Sequence, residues 1–75
     1  MPPFSFQFHH PTEVDMFELR QHISNFHFGV LHCIDVKPPY VVVHYANFTN
    51  HDVRNEIETK GKMVGNWIFL PLSKN

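Results

Sequence analysis

The chain has 75 residues, six basic side chains against seven acidic ones, a formal net charge of −1 with histidines neutral, and a single cysteine, Cys33. A chain this short makes one small domain over residues 1–75, whose core rarely supplies more than about 3–5 kcal/mol, so a partner is a natural source of further stability. The charge balance excludes the basic footprint of tight binding to phosphate backbones, and the lone thiol excludes an internal disulfide and fits a reducing, intracellular compartment, cytoplasm or nucleus.

No signal-peptide pattern opens the chain and no apolar run reaches membrane-spanning length, so no membrane partner is expected. The short ends, without tails, suggest a domain cut from a longer protein. "FSFQFHH" alternates, with Phe4, Phe6 and Phe8 on one side and Ser5, Gln7 and His9 on the other; this predicts a first strand with a phenylalanine face inward. Pro11 ends it. Thr12 with Asp15 three residues later predicts a capping box, opening a helix whose Val14, Met16, Phe17, Leu19 and Ile23 form an apolar stripe at helical spacing. "NFHFG" closes the helix and turns at Gly29.

"VLHCIDV" predicts a second strand, with Val30, His32, Ile34 and Val36 opposing Leu31, Cys33 and Asp35. Lys37-Pro38-Pro39 is a tight connection, because prolines cannot donate to a ladder. "YVVVHYANF" is a third strand with Val41, Val43 and Tyr45 inward. A second helix runs through "NFTNHDVRNEIETKG", capped near Thr49 or Asn50, with Val53 and Ile57 inward, Arg54–Glu58 and Glu56–Lys60 as surface ion pairs, and Gly61 as its left-handed terminal residue. "KMVGNWIFLPL" gives a fourth strand, with Ile68 and Leu70 inward against Trp67 and Phe69.

The order strand–helix–strand–strand–helix–strand predicts an α+β fold: a ferredoxin-like βαββαβ sandwich with both helices on one face of a four-stranded antiparallel sheet. The other face would display Gln7, His9, Leu31, Cys33, Tyr40, Val42, His44, Trp67 and Phe69. That set is rich in aromatics and lacks lysine and glutamate, as the core of a protein interface does, and left bare it would invite aggregation. Trp67 stands out as an anchor, since tryptophans dominate interface energetics.

The chain resembles the RNA-recognition motif. "YVVVHYANFTNHDVRNEIETKGKMVGNWIFL" is similar to that family's third strand, second helix and closing strand, and Phe28-Gly29 stand where the family places its phenylalanine-glycine pair. Against the longer ribonucleoprotein signature K/R-G-F/Y-G/A-F-V-x-F/Y, residues 38–45 read "PPYVVVHY". Tyr40 keeps one of two base-stacking aromatics and Val42 replaces the other. The resemblance implies a non-catalytic module for protein–protein association, as homodimer or heterodimer, within a ribonucleoprotein or RNA-processing assembly, because some members use a degenerate sheet in that way. The alternative it implies is weak single-stranded RNA binding, with Tyr40 and Trp67 stacking on bases and Lys37, Lys60 and Lys62 near phosphates.

Two other constellations carry chemistry. His9, His44 and Cys33 would share the open face, but a structural zinc site takes four ligands, usually in short-spaced pairs; surface or interface imidazoles are expected there and no metal or cofactor is assigned. Removal of Met1 would expose Pro2, whose secondary amine is the base of small tautomerases; Pro3 follows at once and both arginines fall on predicted helices, so no catalytic residue is assigned.

Overall fold

The computed structural model describes residues 3–13 and 15–72. Its elements are β1 (Phe4–His9), α1 (Met16–Ser24), β2 (Gly29–Lys37), β3 (Tyr40–Phe48), α2 (His51–Thr59), β4 (Lys62–Val64) and β5 (Trp67–Pro71). The architecture is α+β: two helices and one five-stranded sheet with strand order β2-β3-β1-β5-β4, antiparallel at every pairing. Val14 and Pro2, which figured in the sequence expectations, lie outside the described residues.

The expected four strands become five. "KMVGNWIFLP" does not run as one strand, because Gly65-Asn66 forms a two-residue turn and folds β4 back on β5. Gly65 has φ 60°, the left-handed conformation that such hairpin turns require.

Alternation in β1 holds as expected: Phe4, Phe6 and Phe8 are buried and Ser5 and Gln7 half-buried. In β3, Val41, Val43 and Tyr45 point the same way. Leu19 and Ile23 from α1 and Ile57 from α2 join these side chains in one core, so both helices cover one face of the sheet. The core is aromatic. Phe6 and Phe69 sit 4.5 Å apart between ring centroids, Tyr45 and Phe48 4.9 Å, and Phe4 and Phe48 5.0 Å, all within the range where tilted and edge-on pairs attract. Arg54 of α2 lays its guanidinium 4.8 Å above the Phe4 ring, closing the core's edge with a cation–π contact.

Helix α1 starts later than the capping box predicted. Asp15 is itself the N-cap, accepting hydrogen bonds from the backbone N–H groups of Phe17 and Glu18 at 3.0 and 3.2 Å. In α1 Leu19 and Ile23 alone are buried, while Met16 and Phe17, expected inward, face solvent, Phe17 at 71% exposure. Asn50 caps α2, accepting from Val53 N–H, and Gly61 follows with φ 82°, as expected for a left-handed stop. The Arg54–Glu58 pair forms at 2.9 Å, but Glu56 reaches Lys62 at 3.4 Å, in place of Lys60.

Candidate functional site, the open face of the sheet

The face opposite the helices is set by register. Pairing Ser5 with His44, Gln7 with Val42 and His9 with Tyr40 puts these six residues on it. Cys33 pairs with His44, Asp35 with Val42 and Lys37 with Tyr40, extending the face across β2. Met63 opposite Ile68, with Leu70 beside Gln7, extends it across β4 and β5.

Gln7, His9, Cys33, Tyr40, Val42 and His44 thus lie where the sequence placed them. Leu31, Trp67 and Phe69 do not. In β2 two residues, Leu31 and Cys33, meet adjacent positions of β3, Tyr45 and His44, so His32 is an extra, bulged residue. Leu31 therefore falls on the same side as Tyr45 and packs against the core. In β5 the alternation is inverted. Gln7 pairs with Leu70, which aligns Phe69 with the core-facing Phe8. Phe69 is fully buried, and Trp67 stacks on Phe8 at 4.5 Å and 18° between planes while the His22 ring of α1 meets it edge-on at 5.0 Å. Ile68 and Leu70, expected inward, stand outward at 48% and 38% exposure beside Met63 at 62%.

The residues assigned to RNA are scattered. Tyr40 is exposed on the open face, T-shaped against His9 at 5.6 Å, with Lys37 across the strand pair. Trp67 is on the helix side, Lys60 is the C-cap of α2, and Lys62 points to the helix side and bonds Glu56.

At the centre of the open face three side chains form a chain that sequence reasoning missed in part. The Asp35 carboxylate accepts from His44 Nε2–H at 3.1 Å, which leaves Nδ1 of the neutral ring as an acceptor for the Ser5 hydroxyl at 2.7 Å. Cys33 Sγ joins them: one donor atom each from Cys33, Asp35 and His44 lie within 4.8 Å of one another. Ser5, Cys33 and His44 border a shallow hollow of about 500 Å³, also lined by Pro3, His32, Tyr45 and Ala46. His9 is not part of this group. It lies four residues along β1 from Ser5, on the order of 13 Å at the rise of a strand. The C-x-D alternation in β2 was visible in sequence, but the pairing that sets it against His44 depends on the bulge.

A second hollow, about 320 Å³, lies between the end of β1 and α1 and is lined by His10, Glu13, Asp15, Glu18, His22 and Trp67. Its Asp15 is committed to capping.

Among the described residues no helix is long and apolar enough to cross a membrane. No family model matches the chain, and searches of curated proteins and of solved structures return no significant match.

Proposed function

We propose that this chain is a non-catalytic association module of ferredoxin-like, RNA-recognition-motif type, which joins a second copy of itself through the open sheet face. If β4 is set aside as an added edge strand, the remaining order β2-β3-β1-β5 is that of a split βαβ pair, with one strand between the two joined by each helix.

The observation that carries the reading is the exposed aliphatic strip of Met63, Ile68 and Leu70, on the same face as the exposed Tyr40 and uncovered by either helix, with Val42 buried among its neighbours between them. Exposed apolar strips of this kind mark interaction surfaces. A second copy suits it electrostatically. The face carries one acid and one base, Asp35 and Lys37, among its described strand positions, so apposing it to itself brings no net charge together.

The size of the face sets the strength. Five strands about 4.8 Å apart, each contributing about six residues at ~3.3 Å, cover on the order of 500 Å². A standard stable interface takes ~800 Å² per partner. The dimer is therefore weak and concentration-dependent, suited to work inside a larger RNA-processing or ribonucleoprotein assembly. Such an assembly and the reducing compartment that an unpaired Cys33 fits belong to the same reading. With Trp67 in the core, the RNA-binding alternative retains Tyr40 as its stacking ring on this face.

Light scattering across a concentration series tests the proposal. The chain is expected to dimerise in the micromolar range with little salt dependence, and Ile68→Glu is expected to give a monomer whose melting temperature equals that of the wild type diluted to its own monomeric range. A monomer at several hundred micromolar overturns self-association. Binding of a short single-stranded RNA with a steep salt dependence would favour the alternative in its place.

A further inference from the structure

We infer that Cys33, Asp35 and His44 form a binding site for one zinc-class divalent ion, Zn²⁺ or its probe Co²⁺. The inference does not rest on self-association, although the site shares the open face with the proposed contact, on its β2–β3 side.

The donor set is a thiolate, an imidazole and a carboxylate, all typical zinc ligands, and three protein ligands plus one open position is the pattern of zinc sites that keep a solvent molecule. Hard-cation sites for Mg²⁺ or Ca²⁺ use oxygen ligands alone, so a thiol and an imidazole beside a single carboxylate select the softer metals.

The geometry is close to what a tetrahedral ion needs. Metal–ligand bonds of about 2.0–2.3 Å place neighbouring donor atoms roughly 3.3–3.8 Å apart. His44 Nε2 and Asp35 Oδ2 are 3.1 Å apart, and all three donors fall within 4.8 Å, so rotation of the Cys33 and Asp35 side chains by about an ångström completes the set. The strands hold the donors in place: Cys33 and His44 are cross-strand partners in the middle of the β2–β3 ladder, with Asp35 two residues along the same face.

Ser5 supplies a feature that an accidental cluster would lack. A metal-bound histidine usually donates its other ring N–H to a fixed acceptor, which orients the ring. The Ser5 hydroxyl is already 2.7 Å from His44 Nδ1. Binding converts the ring to its other tautomer, with Nε2 bonding the metal and Nδ1–H donating to the serine oxygen. As the sulfur–metal bond forms, the Cys33 thiol releases its proton to solvent.

The test is a Co²⁺ titration of the whole chain under a non-chelating reductant, followed by displacement with Zn²⁺. Expected are one cobalt per chain, visible bands of tetrahedral intensity, and a near-ultraviolet thiolate-to-cobalt band. Because Cys33 is the single cysteine, that band identifies its sulfur. The partners are tested by His44→Gln and Asp35→Asn, each expected to weaken binding at least tenfold, and by Ser5→Ala, expected to weaken it about tenfold through the ring alone. Circular dichroism of each variant checks that the sheet remains. A weak six-coordinate cobalt spectrum, or a thiolate band that persists at unchanged affinity in folded His44→Gln, overturns the site.

Discussion

Tyr45 offers the most direct test of how this small core is balanced. Its ring is buried, stacked 5.9 Å from Phe6 and edge-on to Phe48, yet its hydroxyl finds no hydrogen-bonding partner among the described residues. Burying a hydroxyl without a partner costs about 1–3 kcal/mol. Tyr45→Phe removes the oxygen and keeps both ring contacts. We expect it to stabilise the domain by about 1 kcal/mol, or about 4–8 °C in Tm for a domain of this size.

The same burial has a signature at high pH. Desolvation pushes the Tyr45 phenol from 10.0 up to about 12. Below pH 10 the phenol is neutral whether the chain is folded or not, and the full stability is present. As pH rises from 10 towards 12 the unfolded chain ionises while the folded one stays neutral, so unfolding gains free energy and stability is lost. At about 1.4 kcal/mol per pH unit the loss approaches 3 kcal/mol, a large share of the ~3–5 kcal/mol such a core supplies. Urea unfolding of both proteins at pH 7, 10, 11 and 12 measures it. The advantage of Tyr45→Phe is expected to widen steadily above pH 10. A Tyr45→Phe protein less stable than wild type by 0.5 kcal/mol or more at pH 7, or a difference independent of pH, would refute the unsatisfied-hydroxyl account.

Two further substitutions separate core from surface. Trp67→Ala is expected to cost about 3 kcal/mol by emptying the space between Phe8 and His22, lowering Tm strongly, whereas Ile68→Glu changes association alone; the reverse result would place Trp67 back on the open face. Gly29 has φ 150°, and a Cβ there would overlap the Asn47 carbonyl oxygen across the β2–β3 ladder, so Gly29→Ala is expected to cost several kcal/mol and to leave the chain largely unfolded by circular dichroism. A melting temperature within a few degrees of wild type would refute that.

The parts of the fold that were legible in sequence share a property: contrast between neighbours. In "FSFQFH" each phenylalanine sits between small or polar residues, so only one phase buries apolar surface without burying a polar group, and β1 adopts it. The stop at Gly61 and the cap at Asn50 are similarly local, each decided by one residue's backbone preference. "WIFLP" has no such contrast. Every side chain is apolar, so either phase buries a similar area, and the choice falls to packing elsewhere in the molecule. The helices are nine residues each and contribute few buried side chains, Leu19 and Ile23 from one and Ile57 from the other. The phase adopted sets Phe69 against Phe6 and Trp67 against Phe8, each with ring centroids 4.5 Å apart, contacts that Ile68 and Leu70 could not make. Leu31 departs from its expected side for a different reason: the bulged His32 shifts the phase between Cys33 and Leu31, and nothing in "VLHCID" signals a bulge.

The inversion of β5 changes what the open face can do as well as which residues sit on it. With Trp67 and Phe69 outward the face would have been a platform of rings, and stacking on bases, at about 1–3 kcal/mol per ring, would have competed with protein contact. With Ile68, Leu70 and Met63 outward, one half of the face is aliphatic, which buries favourably against another protein and gives a base nothing to stack on. The other half holds Ser5, His44, Asp35 and Cys33, a polar group whose members are already arranged by hydrogen bonds. The hairpin sharpens this division. By folding Lys62–Val64 back onto β5 it adds Met63 to the aliphatic half and turns Lys62 towards Glu56 on the helix side, so the added strand enlarges the apolar area and brings no charge onto it.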